Sequence, residues 1–216
     1  MRKLLLTLFS VFLVACFSSA PAGRAEYEQG VKYLQGIGVE KNTQKAVEYL
    51  TRASDLGSAQ AQLALGYLYL QGTGVEKDET VALKLFRRAG SQGDRDGQYN
   101  TGLAYARGIG TKQDFPEAVK WFMQAALQDD SGSQFNLGLM YLNGEGVVRD
   151  PLLAFAWFSI AAENGYEGAK GTRGFARQAL SADQLNEAQG VIDGLKRHIQ
   201  KPAVSSMNDA SINQPL

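Results

Sequence analysis

The sequence predicts an all-α fold of the α/α-solenoid type, in which short helix pairs follow one another as a tandem array. The first indication is the pair Gly36 and Gly38, which recurs at positions 72 and 74, 108 and 110, and 144 and 146. The second is that the stretches on either side of each glycine pair carry apolar residues at the i, i+4 spacing of a helix. Repeats of about 20–50 residues that contain two helices are typical of solenoids, where each unit contacts mainly its neighbours. We therefore expect about four 36-residue repeats, each made of a helix A and a helix B.

The register extends beyond the glycine pairs. The aligned positions are Gly30, Gly66, Gly102 and Gly138; Tyr33, Tyr69, Tyr105 and Tyr141; Ala46, Ala82, Ala118 and Ala154; and Ala53, Ala89, Ala125 and Ala161. Glycine occupies only 24 of 216 positions, so several columns of four aligned glycines do not arise by chance.

The helices of the second repeat can be placed from their capping residues. Helix A is predicted from about 59 to 70, with Ser58 as its N-cap. Helix B is predicted from about 79 to 91, and it should end at a glycine in the C′ position. The expected N-caps of the B helices are Asn42, Asp78, Asp114 and Asp150. The expected C′ residues are Gly57, Gly93 and Gly165, with Asp129 as the exception.

The glycines in the middle of helix A predict close packing against helix B. A glycine inside a helix costs about 1 kcal/mol relative to alanine, so its recurrence at this position needs a compensating contact. The bulky pairs of helix B supply candidates for that contact. They are Tyr49-Leu50, Leu85-Phe86, Trp121-Phe122 and Trp157-Phe158.

These residues resemble the Sel-1-like repeats, α/α-solenoid units related to tetratricopeptide repeats. The shared pattern is Leu-Gly-x-x-Tyr-x-x-Gly-x-Gly-Val, an Asn or Asp, and then Lys-Ala-x-x-Trp-Phe-x-x-Ala-Ala-x-x-Gly. Residues 59–94 and 131–165 follow it almost throughout, whereas Thr111 stands where Val is usual and Asp129 where Gly is usual. The resemblance covers about 24–166 and implies a right-handed superhelix whose concave face is lined by the A helices.

The rest of the chain is expected to flank four repeats at 25–166. Residues 167–200 should form a capping helix pair, because the array needs to cover its last apolar face and Ser181-Ala182-Asp183-Gln184 reads as a capping box. Residues 201–216 are rich in Ser, Asn, Pro and Ala, and we expect a disordered tail.

The first residues predict export. Met1-Arg2-Lys3, the apolar stretch 4–14 and the small residues after it form a signal peptide, assigned to 1–15. Leu13-Val14-Ala15-Cys16 resembles the bacterial lipobox, which implies that lipid is attached to Cys16 and that residues 16–24 are a tether. Phe17 in place of Asp then implies the outer membrane of a Gram-negative bacterium. The alternative is cleavage after Ala20, Ala22 or Ala25, which would give a soluble periplasmic protein.

Composition removes several classes of function. Lys+Arg and Asp+Glu number 22 each and no basic run is present, so nucleic acid is not an expected partner. One Cys and one His leave no disulfide framework or Cys-rich zinc site, and we expect no metal, no cofactor and no catalytic residue. His198 is expected near the end of the last helix. Asp129-Asp130 and Arg87-Arg88 are interpreted as a capping turn and a solvated helix face.

The resemblance implies a non-catalytic adaptor that binds an envelope protein or peptide in its concave groove. The candidate contacts on the A helices are Tyr67, Tyr99, Asn100, Phe135, Asn136 and Met140. The alternative is that the aromatic rings pack between repeats and that the two Asn side chains cap nearby carbonyls. The alternative function is a cell-wall-acting enzyme or β-lactam-binding protein, like cysteine-rich secreted relatives that close each repeat with a disulfide, which this chain does not have.

Overall fold

The computed structural model describes residues 23–199, and this part of the chain forms ten helices and no strand. The helices are α1 (Arg24–Gln35), α2 (Thr43–Asp55), α3 (Ala59–Gln71), α4 (Glu79–Ser91), α5 (Arg95–Arg107), α6 (Phe115–Leu127), α7 (Ser131–Asn143), α8 (Pro151–Glu163), α9 (Glu167–Gln178) and α10 (Ala182–His198). The all-α prediction and the bounds predicted for α3 and α4 are confirmed. The predicted signal peptide, Cys16 and the predicted tail at 201–216 lie outside the described residues, and α1 begins at Arg24, the last residue assigned to the tether.

The chain divides into two compact units, with the boundary between Lys77 and Asp78. In the first unit α1 packs on α2 and α2 on α3. In the second unit each helix from α4 to α9 packs on the next, α10 packs on α8, and the A helices α5, α7 and α9 contact one another in that order. The second unit therefore presents three consecutive A helices.

Capping residues set the helix bounds as the sequence predicts. Each residue of the N-cap column accepts a hydrogen bond from the first turn of its B helix, and Asp114 Oδ1 accepts from the Glu117 amide at 2.9 Å. Ser181 and Gln184 form the capping box at the start of α10. At the C′ position of α6, Asp129 takes a left-handed backbone with φ of 65°, where the other B helices have glycine. That conformation costs a residue with a side chain roughly 1–2 kcal/mol.

Three mid-helix glycines of the A helices pack against the second residue of the bulky pair in the B helix of the same repeat. A Cβ atom placed on Gly138 would lie 2.5 Å from Phe158 Cε1, and one placed on Gly102 would lie 2.7 Å from Phe122 Cδ1. In the first unit, Gly30 stands in the same way against Leu50. The predicted small-into-large packing is confirmed in these three repeats.

In the third and fourth repeats, the turn between helices A and B leaves no room for a side chain at its second glycine. A Cβ atom on Gly146 would lie 2.5 Å from the carbonyl carbon of Phe115, and one on Gly110 would collide with the carbonyl oxygen of Glu79. Both glycines have a positive φ, at 73° and 69°, which glycine adopts without penalty. Each turn thus lies directly on the first turn of the B helix in the preceding repeat.

Buried glutamines join neighbouring repeats, a feature that the repeat pattern did not reveal. Gln134 Nε2 donates to the carbonyl oxygen of Ala126 at 3.2 Å, at the C-terminal end of α6. Its Oε1 accepts from Asn164 Nδ2 at 3.0 Å, at the end of α8. One repeat earlier, Gln98 Oε1 accepts from Gln128 Nε2 at 2.8 Å. These amides satisfy helix-end carbonyls that would otherwise be buried without partners.

The last helix pair closes the array on one side. Ile192 of α10 is buried with Trp157 in the main cluster of the second unit, and Val191, Leu195 and Ile199 pack against that cluster. Lys196 forms an ion pair with Glu163 at the end of α8. The capping helix therefore lies against α8, and its contact with α9 is marginal.

Candidate functional site

Tyr99 and Phe135 pack between consecutive A helices of the second unit. The Tyr99 ring lies 6.1 Å from the Phe122 ring, and a Cβ atom on Gly132 of α7 would be 3.0 Å from Tyr99 Cε2. Phe135 stacks on Tyr166 at 4.6 Å between ring centres. Both rings are half-buried, so the alternative interpretation, packing between repeats, describes their contacts.

The two predicted asparagines occupy one position on successive A helices. Asn100 Nδ2 donates to the carbonyl oxygen of Asp96 at 2.7 Å, and Asn136 Nδ2 donates to that of Gly132 at 2.8 Å. Thr172 of α9, in the same register, donates to the carbonyl oxygen four residues earlier at 3.0 Å. An Asn side chain has two N–H donors and an acceptor oxygen, and no described residue donates to Asn136 Oδ1. That side chain therefore keeps hydrogen-bonding capacity in addition to its helix-capping contact.

Met140 does not line a surface. Its side chain is 3% exposed and belongs to the same buried cluster as Trp157 and Leu137. The reason is its position on α7, one turn beyond Leu137, on the side of the helix that packs against α6 and α8. Tyr67 of the first unit is 38% exposed and remains a surface residue of α3.

Phe175 is a surface residue that the sequence reasoning missed. It follows Leu103 and Leu139 at steps of 36 residues, but those two are half-buried, whereas Phe175 of α9 is 72% exposed. The repeat motif ends at 166, and the sequence predicts the next helix only as part of a capping pair. Extending the 36-residue register by one helix would have aligned Phe175 with them. We call Asn100, Leu103, Asn136, Leu139 and Phe175, with Thr172, the A-helix surface.

Acidic residues next to this surface act in the helix caps. Asp94 accepts from the Gly97 amide at 2.7 Å and Asp130 from the Ser133 amide at 2.6 Å. Burial raises the pKa of Asp94 above its usual 3.8, against the opposing effect of the Gly97 hydrogen bond. Their contacts match the predicted capping role of acidic residues in these turns.

Groups with metal-binding or catalytic potential are sparse in the described range. Between residues 23 and 199, no three His, Cys, Asp or Glu side chains lie close enough to hold a metal ion. His198 is exposed in the last turn of α10, where a positive charge favourably meets the helix dipole. None of the helices from α1 to α10 combines the length and apolar character needed to cross a bilayer.

Comparisons with known proteins agree with this geometry. The family model described as Sel1 repeat matches residues 23–58, 59–94, 95–130 and 131–166. A Sel1 repeat protein from Oxalobacter formigenes is similar at 30% identity and a TM-score of 0.71, over 82% of this chain and 73% of that one. No curated protein sequence is similar enough to count as a match.

A second solved structure is similar over the same share of this chain. It is c5321, a protective antigen of uropathogenic Escherichia coli strains that displays an SLR fold, at 32% identity and a TM-score of 0.73. The similarity covers 82% of this chain and 38% of the length of that one.

Proposed function

Because the chain belongs to the Sel1 repeat family, whose members generally mediate protein–protein interactions, we propose that it is a non-catalytic scaffold of the bacterial cell envelope. Its partner is an envelope protein or peptide that docks on the A-helix surface. The scaffold positions that partner for assembly of a larger complex and makes no covalent change to it. No nucleic acid and no cofactor takes part.

The exposure of Phe175 on α9, a helix that contacts the α7 helix of Asn136, carries this proposal. A ring that is 72% exposed, in register with the half-buried Leu103 and Leu139, offers an apolar anchor point at the end of the surface. Asn136 offers an amide that can exchange hydrogen bonds with an extended backbone. Partner contacts commonly combine such an aromatic anchor with a few polar groups.

The experiment is capture of the partner from the envelope fraction on immobilised protein, followed by titration with the purified partner. Phe175→Ser should weaken binding at least about tenfold, which corresponds to roughly 1.4 kcal/mol. Asn100→Ala combined with Asn136→Ala should also weaken it about tenfold, since each lost hydrogen bond contributes roughly 0.5–1.5 kcal/mol. Thermal midpoints should change little, because Phe175 is exposed and Asn136 donates to a carbonyl oxygen of its own helix.

Val148→Ser is the matched control for Phe175→Ser. Val148 is 87% exposed, but it lies in the turn between α7 and α8 and not on the A-helix surface. Unchanged binding in both Phe175→Ser and the double Asn variant would contradict docking on this surface. Turnover of a chromogenic β-lactam by the purified protein, lost on mutation of a residue of the A-helix surface, would overturn the non-catalytic scaffold in favour of the enzyme alternative.

We further propose that the protein is an outer-membrane lipoprotein attached through Cys16, on the basis of the lipobox resemblance at 13–16. The alternative is a soluble periplasmic protein. Cys16→Ser should abolish labelling with a fatty-acid analogue and release the protein from the membrane fraction. A wild-type protein that incorporates no fatty acid and fractionates with the periplasm would leave the soluble alternative.

A further inference from the structure

In the last helix pair, α9 and α10, the mid-helix glycine of α9 is not covered as the corresponding glycines of the repeats are. Gly174 follows Gly138 by 36 residues and so continues the column of mid-helix glycines. A Cβ atom on Gly138 would lie 2.5 Å from Phe158 of the adjacent B helix. For a Cβ atom on Gly174, no described atom outside α9 lies within 4 Å. The residue of α10 that continues the covering column of Leu50, Phe122 and Phe158 is Gly194. Within residues 23–199, the fifth A helix therefore has no side chain over its glycine.

The displaced path of α10 explains why this face is uncovered. In the repeats, each B helix described above covers the A helix that precedes it, but α10 packs on α8 and touches α9 only marginally. The uncovered side of α9 consists of Lys170, Arg173, Gly174 and Arg177, which we call the open α9 face. Lys170, Gly174 and Arg177 are exposed and Arg173 is half-buried, whereas the equivalent residues of α7, which are Gln134, Leu137, Gly138 and Tyr141, are buried except for the half-buried Tyr141.

The open α9 face is positively charged and partly unpaired. Lys170 Nζ forms an ion pair with Glu167 at 2.8 Å. Among residues 23–199, no carboxylate pairs with Arg173 or Arg177. These two side chains are four residues apart, so they lie one turn apart on the same side of α9. Two guanidinium groups therefore flank a site where a neighbouring side chain is missing.

We propose that the open α9 face binds an acidic amphipathic helix of a partner protein. We expect a helix as the occupant. At Gly30, Gly102 and Gly138, the equivalent face of the A helix is covered by a B helix that supplies a Leu or Phe side chain. One large apolar side chain of the partner lies over Gly174, and carboxylates about one turn apart pair with Arg173 and Arg177. This face is distinct from the A-helix surface and does not depend on docking there.

The probe is a synthetic peptide with the sequence of residues 114–128, the α6 helix with its N-cap, carrying Lys120→Glu. It retains Asp114 and Glu117 as acidic groups and Phe122 as the covering residue. The first companion peptide is the acidic peptide with Phe122→Ala. The second companion carries Asp114→Lys and Glu117→Lys and keeps the native Lys120. Fluorescence anisotropy of labelled peptide with the full-length chain should show binding of the acidic peptide that weakens with added salt. Each companion should bind at least about tenfold more weakly.

Variants of the full-length protein locate the binding. Arg173→Glu with Arg177→Glu, and separately Gly174→Phe, should each weaken binding of the acidic peptide at least about tenfold. The charge control is Lys84→Glu with Arg88→Glu, an exposed basic pair with the same spacing on α4. The side-chain control is Gly190→Phe, at an exposed glycine of α10 with open space around it. Both controls and Asn136→Ala, which tests the A-helix surface, should leave the affinity within about twofold of wild type.

Four outcomes would overturn the proposal. Equal binding of the three peptides would mean that charge and apolar anchor are not recognised. Equal binding by wild type and both open-face variants would place the peptide elsewhere. A large rise in peptide affinity on deletion of residues 200–216 would identify that segment of the chain as the occupant. A concentration-dependent dimer in sedimentation that Gly174→Phe abolishes would identify a second copy.

Discussion

Replacing the same glycine in two consecutive A helices should have opposite effects on stability. Gly138 and Gly174 are one repeat apart in the register, but in the described part of the chain only Gly138 is covered by an aromatic ring. Alanine in place of a mid-helix glycine gains about 0.5–1 kcal/mol through helix propensity alone. At Gly174, where a Cβ atom has open space, that gain should appear in full as a higher free energy of unfolding.

At Gly138 the same methyl group would lie 2.5 Å from Phe158 Cε1 and 2.6 Å from Cδ1. Ordinary contact between carbon atoms is about 3.5–4.0 Å, so the ring would have to move by about 1 Å. Phe158 is 0% exposed, so its ring cannot move aside into solvent. Overpacking of this kind costs about 1–3 kcal/mol, which outweighs the propensity gain and leaves a net loss of about 1–2 kcal/mol for Gly138→Ala.

Thermal melts of the two single variants provide the assay. For a chain of this size, 1 kcal/mol shifts the midpoint by about 2–4 °C, so Gly138→Ala should lower it by about 2–8 °C and Gly174→Ala should raise it by about 1–4 °C. Adding Phe158→Leu to Gly138→Ala should cost less than the sum of the two single changes, because Leu50 fills this column in the first repeat. If Gly138→Ala stabilised the protein as much as Gly174→Ala, close approach of Phe158 would not be the reason for the glycine.

Three further changes test the turns and the buried amides. Asp129→Gly should be more stable than Asp129→Ala by about 1 kcal/mol in urea denaturation, because both lose the carboxylate and only glycine tolerates a φ of 65°. Burial raises the pKa of Asp94, so the folded state binds this proton more readily than the unfolded state, and stability falls as the pH rises from below 3.8 through the raised value. Asp94→Asn, which keeps an N-cap oxygen, should therefore improve stability relative to wild type more at pH 7 than at about pH 3, and a smaller benefit at pH 7 would contradict that sign. Gln134→Ala should cost about 2–4 kcal/mol by chemical denaturation, since it leaves the Ala126 carbonyl without this donor and opens a cavity, while the exposed Gln124→Ala should cost less than about 0.5 kcal/mol.

The helix bounds and the small-into-large packing could be predicted from the sequence because both depend on local signals. Ser58, the Asn and Asp N-caps and the C′ glycines act on the backbone within one turn of themselves, so their types and spacing fix the helix ends. The pairing of Gly138 with Phe158 could be predicted because a fixed period carries a contact between two helices from one repeat to the next.

The candidate site was less predictable because the exposure of a side chain depends on how the neighbouring helices pack around it. Met140 and Leu139 are adjacent apolar residues of α7, and only the packed structure shows that the first is buried while the second is half-exposed. Phe175 was missed because the repeat motif ends at residue 166, and no local signal shows that its ring is exposed while Leu103 and Leu139 are half-buried. The hydrogen bond between Gln98 and Gln128 joins residues of different helices and depends on their rotamers, so it too required coordinates.

The two kinds of turn in the array differ in how much additional chain they can hold. Gly93 and Gly165, in the turns that lead from a B helix to the next A helix, have no atom within 4 Å of their Cβ positions. Gly110 and Gly146, in the turns within a repeat, rest on the backbone of the preceding B helix. An insertion within a repeat would therefore push neighbouring repeats apart, whereas a loop could lengthen between repeats if it kept the amide contacts of Gln128 and Asn164. We therefore expect loops of this array to grow in the turns between repeats. An epitope or affinity tag inserted in those turns would leave the helix register intact.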